Sequence, residues 1–74
     1  MSDEIRSQVV LALDALTPRE RAAFVLRALE EEPFARVAEA MDIEEVTARR
    51  LYGLARQRLA GLLASLRGGG ERST

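Results

Sequence analysis

The chain has 74 residues, 47% apolar and 31% charged, with no cysteine and no histidine. That balance describes one small globular domain; it excludes a disulfide framework, a Cys/His metal site and catalysis by thiolate or imidazole. The net charge of −1 conceals a polarised chain: residues 1–45 carry 11 acids against five arginines, residues 46–74 carry six arginines against one acid, and lysine is absent.

The start, Met1 to Arg6, is acidic and does not fit a signal peptide. No apolar run approaches the roughly 18–20 residues of a membrane span, so the expectation is a cytoplasmic protein with no membrane partner. A first helix is expected over about Asp3 to Leu16, capped by Ser2 or Asp3, with Ile5, Val9, Leu11, Ala12, Ala15 and Leu16 near the helical period. Thr17-Pro18-Arg19-Glu20 then reads as a helix start. Thr17 accepts from the amide three residues on, Pro18 suits the first helical position, and Glu20 reaches back to close a capping box. This second helix is expected to run to about Glu31, with Ala23, Phe24, Leu26, Arg27 and the pair Ala28/Leu29 on the inward face. Glu30-Glu31-Glu32 before Pro33 reads as a solvated, charged turn.

A short third helix is expected from Pro33 to Met41, where Phe34, Val37, Ala38 and Met41 fall at i, i+3, i+4 and i+7. Asp42-Ile43 makes a turn, and Glu44 or Glu45 opens a last helix that reaches Leu66 or Arg67. At about 100° per residue, Ala48, Leu51, Tyr52, Ala55, Leu59, Leu62, Leu63 and Leu66 share one apolar face. Arg49, Arg56 and Arg67 lie opposite, with Arg50 and Gln57 beside them. The apolar face is expected to cover the core formed by the first three helices. Gly68-Gly69-Gly70 stops the helix. The domain reading is therefore residues 1–67, followed by a glycine-rich flexible tail at 68–74. Expected core residues are Leu16, Phe24, Leu26, Phe34, Val37, Ala38, Ile43, Tyr52 and Leu59.

A short helix, a tight turn and a longer arginine-bearing helix make a helix-turn-helix, whose second helix enters the DNA major groove N-terminal part first. The fold class is all-α: a four-helix helix-turn-helix domain, winged-helix-like only in its helix-turn-helix core, with a long last recognition helix. Thr47, Arg49 and Arg50 occupy the part that meets bases, where arginine binds guanine bidentately or clasps phosphate. Arg56 and Arg58 lie further along, where backbone contact is expected. Four arginines between 49 and 58 with no acid among them favour nucleic acid. No catalytic, cofactor-binding or metal-ligating residue is assigned: no glycine-rich loop follows a strand, and the chain is not read as an enzyme.

The ordered set of motifs resembles region 4 of bacterial sigma factors, of the extracytoplasmic-function type. The resemblance covers about Ala12 to Leu63. It is carried by Leu16-Thr17-Pro18-Arg19-Glu20-Arg21, Phe24-Val25-Leu26-Arg27, Phe34, Val37-Ala38-Glu39, Met41-Asp42-Ile43, Thr47, Arg49 and Ala55-Arg56-Gln57-Arg58-Leu59. It implies a module that reads the −35 promoter element in double-stranded DNA and touches RNA polymerase or an anti-sigma factor. The chain departs from the family pattern at several positions. Glu31-Glu32-Pro33 stands where glycine-leucine-serine is usual, Asp42 replaces the turn glycine, and Glu44 replaces a capping serine. Leu51 and Leu54 replace basic residues. Glu44 and Glu45 face DNA in the docked geometry of the family, where a glutamate accepts from cytosine N4. Leu51 flanks the apolar face and reads as either core or a protein contact, whereas Leu54, well away from that face, suggests a protein contact. A second class of reading follows: a sigma-like protein-binding module that occupies an anti-sigma factor or polymerase, or pairs as a homodimer through the last helix. LuxR-type regulators share the Leu16-Thr17-Pro18-Arg19-Glu20 start and also imply a dimer through the last helix, which in them usually ends sooner.

Overall fold

The computed structural model describes residues 3–68. The expected Ser2 cap, the side chains of Ile5, Val9, Leu66 and Arg67, and the tail from Gly69 to Thr74 lie outside what it describes. The described residues form helices joined by short turns: α1 (Asp3–Asp14), α2 (Pro18–Phe24) widening into a π-helical turn (Val25–Leu29), α3 (Phe34–Met41) and α4 (Glu45–Gly68). There is no strand among them, so the helix-turn-helix carries no wing there.

α1 ends two residues earlier than its apolar pattern suggests. Thr17 precedes Pro18 and must be extended, at φ −65° and ψ 158°. The chain therefore leaves α1 through two tight bonds, from Ala15 N–H to the Ala12 carbonyl and from Leu16 N–H to the Leu13 carbonyl, both 3.1 Å. The capping box forms as expected: Glu20 N–H donates to Thr17 Oγ1 at 3.2 Å, and Thr17 N–H donates to Glu20 Oε1 at 3.1 Å.

The end of the second helix differs from the α-helix expected through Glu31. From Val25 the helix widens, and Glu30 N–H reaches back five residues to the Val25 carbonyl at 3.0 Å. Glu32 N–H closes on the Leu26 carbonyl at 3.0 Å, one residue further back than in an α-helical Schellman cap. Arg27 braces this widened end: its Nη1 donates to the Glu32 carbonyl at 3.4 Å, and its guanidinium lies 5.0 Å from the centre of the Phe34 ring.

Both turns that flank α3 pass through the left-handed region without glycine, at Glu31 (φ 58°) and Asp42 (φ 59°). Asp42 makes a Schellman cap, with Ile43 N–H on the Ala38 carbonyl at 3.0 Å and Asp42 N–H on the Glu39 carbonyl at 3.2 Å. Aspartate tolerates this conformation; glutamate does so less readily. Glu31→Gly is accordingly expected to stabilise the chain by about 0.5–1 kcal/mol, the relief of the left-handed Cβ less glycine's greater chain entropy. The urea midpoint should rise with an unchanged m-value.

Two apolar clusters hold α4 against the other helices. Ala12, Leu16, Ala55 and Leu59 join α1 to α4, with Leu13, Phe24 and Leu62 packed on them. Ala23, Val37, Ala38 and Ala48 join α2, α3 and α4, with Leu26, Phe34, Met41, Ile43 and Leu51 around them. Of the expected core, Leu16, Val37, Ala38 and Leu59 are buried, whereas Phe24, Leu26, Phe34, Ile43 and Tyr52 are only half-buried. Alanines occupy the crossings, and the larger side chains fill the margins between helices. Phe24 stacks on Tyr52 at 5.9 Å between ring centres, and Tyr52 meets the Phe34 ring edge-on at 5.5 Å.

Candidate nucleic-acid interface

The Schellman turn at Asp42 and the buried Ala48 fix how α4 leaves α3. Glu44 supplies the first backbone acceptor of α4, taking the Ala48 N–H at 3.0 Å. Burial of Ala48, Ala55 and Leu59 turns one face of α4 inward. Helical spacing then places Val46, Arg50, Leu54 and Gln57 on the outer side, and all four are exposed. Arg49 and Arg56 lie on one flank of that face; Thr47 and Arg58 lie on the other.

Charge on the first turns of α4 is partly cancelled within the domain. Arg49 Nη2 donates to Glu45 Oε2 at 2.8 Å, and the Arg49 guanidinium sits 4.6 Å from the centre of the Phe34 ring. Glu45 is thus the partner of Arg49, and Glu44 is exposed without a side-chain bond among the described residues. Thr47 is half-buried. Arg50 is exposed and forms no ion pair or hydrogen bond among the described residues.

The remaining sequence-assigned positions divide. Arg56 is exposed and lies 5.8 Å from the centre of the Tyr52 ring. Arg58, expected at DNA phosphate, has a partner inside the domain: its Nε lies 3.1 Å from Glu20 Oε1 and 3.2 Å from Oε2. It clasps α2 to α4. Leu51, one of the two expected protein contacts, packs into the cluster of Val37, Ala38 and Ala48. Leu54 stays exposed at 39%.

Val46 was not among the sequence-assigned residues, yet it is 67% exposed on the first turn of α4. Its signal was present in the spacing, four residues before Arg50 on the same side of the helix. The Glu20–Arg58 clasp carried no local signal, because its partners lie 38 residues apart.

Glu20 is the only buried charged residue among those described. Burial pushes its carboxyl pKa up, but the Thr17 amide and the Arg58 guanidinium outweigh burial, and the net lies below the ordinary glutamate value of 4.5. A lowered folded-state pKa means that this carboxylate's contribution is complete above about pH 4.5 and is lost as pH falls through the lowered value. Glu20→Gln is therefore expected to lose less stability than the parent between about pH 5 and pH 3 in urea unfolding. Parallel pH profiles for the two proteins would contradict the clasp.

A family model described as Sigma-70, region 4 matches residues 6–59. That span contains α2, the π-helical turn, α3 and the first fifteen residues of α4. No curated protein and no solved structure matches the chain.

Proposed function

The chain belongs to the sigma-70 region 4 family, and we propose that it reads a −35-type promoter element through the first turns of α4. Membership makes it a sigma-type helix-turn-helix DNA-binding module of transcription regulation. The finer reading is a module of the extracytoplasmic-function type that acts with RNA polymerase. Base-edge contact falls to Glu44, Thr47 and Arg50, with Arg49, held on the flank by Glu45, and Arg56 at the sugar-phosphate backbone. Arg50 carries this reading, as a guanidinium exposed on the groove side of α4 and uncommitted among the described residues. An arginine there donates two parallel bonds to guanine O6 and N7.

The near-cancellation of charge at Glu44, Glu45, Arg49 and Arg50 implies weak binding by this module alone. Occupancy then depends on polymerase holding it near the promoter. The exposure of Leu54 favours a second reading, a sigma-like module that docks on an anti-sigma factor or polymerase through the outer side of α4. The two readings separate in one comparison: Leu54→Glu harms a protein contact, and Arg50→Ala harms DNA binding.

Titration with a pool of random-sequence duplexes at several salt concentrations tests the first reading. A log–log slope of about −3 or steeper is expected, because each neutralised phosphate contributes about −0.9. Absence of binding at low salt and micromolar protein would overturn it.

A further inference from the structure

We propose that Val46 and Arg50 form a two-residue reading head that selects a thymine and a guanine within two base pairs of each other. The inference rests on the DNA-reading function above and assigns its specificity to named side chains. Three observations support it.

First, the adjacent arginines are not equivalent. Arg49 is held by Glu45 at 2.8 Å and lies against the Phe34 ring of α3. Turning it into a groove would break a charged hydrogen bond and an aromatic contact. Arg50 gives up no such contact among the described residues. Second, Val46 is more exposed than any other large apolar residue described. It stands on the first turn of the helix that enters the groove, where water gains nothing from it. In the major groove an apolar side chain is matched by the thymine C5-methyl group, the one apolar feature a base pair presents there. Third, Val46 and Arg50 are separated by four residues and therefore neighbour each other along one side of α4, with Cβ atoms about 5–6 Å apart. Base pairs repeat about every 3.4 Å along the duplex. That separation spans one to two steps, so the methyl and the guanine edge must be close in sequence.

The test uses the whole chain and the best duplex recovered from a random pool. Each thymine is replaced in turn by uracil, which removes only the methyl group. Each guanine is replaced in turn by 7-deazaguanine, which removes the N7 acceptor. One uracil substitution is expected to weaken binding by about 4-fold, the effect of one buried methyl. One 7-deazaguanine within two base pairs of it is expected to weaken binding by about 10-fold, within the range for a bidentate arginine. Val46→Ala should bind the thymine and uracil duplexes equally while keeping the guanine effect. Arg50→Ala should lose the guanine effect, and Arg49→Ala should keep both. Neutral substitution at every thymine and guanine, or parent-like discrimination by Val46→Ala and Arg50→Ala, would overturn the reading head while leaving DNA binding intact. Failure of the parent chain to bind any duplex at low salt would overturn both.

Discussion

Replacing Arg49 and Arg50 together by alanine is expected to weaken duplex binding by about 2–4 kcal/mol, roughly 30- to 1,000-fold. Two effects add. Arg50 loses its contact to a base edge, worth about 1–3 kcal/mol. Removal of Arg49 also leaves Glu45 without its partner at 2.8 Å. The first turns of α4 then carry Glu44 and Glu45 unopposed, and two carboxylates approach the phosphates of the duplex. The salt slope should become shallower by about one to two. Helix content should hold in circular dichroism, because both side chains are exposed. Of the single variants, Arg50→Ala should account for most of the loss. Unchanged affinity of the double variant would remove this end of α4 from the interface.

The second large effect lies in the core. Val37→Ala is expected to destabilise the chain by about 2–3 kcal/mol, the range for removing buried methyl groups with partial collapse of the cavity. Val37 is the largest side chain wholly buried among the described residues. It packs with Ala23, Ala38 and Ala48, where α2, α3 and α4 meet. A domain of 74 residues has a total stability of about 4–11 kcal/mol, so this one change removes a large share. Urea unfolding followed by circular dichroism measures it. A cost below about 0.5 kcal/mol would mean that the three-helix junction is not the tightly packed centre described here.

Much of this architecture was legible in the sequence because its causes are local. Thr17, Pro18 and Glu20 lie within four residues and dictate a helix start by themselves, and the box formed as read. The 3.6-residue period of Ala48, Ala55 and Leu59 fixed the inner face of α4, and Asp42-Ile43 marked the turn before it. What was missed depends on groups distant in sequence or on backbone detail. No residue type announces the widened turn at Val25–Leu29, which emerges where Arg27, Glu32 and Phe34 meet. The left-handed Glu31 has no signal in its own residue type; only the family pattern, with glycine at that place, pointed to it.

The core reading favoured bulky residues, while helices in so small a domain approach most closely where alanines face each other. Ala23, Ala48 and Ala55 accordingly lie deeper than Phe24 or Tyr52. At the candidate interface, the sequence identified the arginines but not their partners. Arg58 meets Glu20 across 38 residues of chain. Arg49 meets Glu45 across a single helical turn, a pairing that i, i+4 spacing does encode.

The most direct test of the central claim is chemical-shift mapping of the isotope-labelled chain titrated with its selected duplex. The expected perturbations concentrate on the amides of residues 42–50, from the Asp42 turn through Arg50, while the exposed Val10 and Leu11 of α1 stay unmoved. Shifts confined to α1 or to the Leu54–Leu63 stretch of α4, with residues 42–50 silent, would contradict a helix-turn-helix that reads DNA through the start of α4.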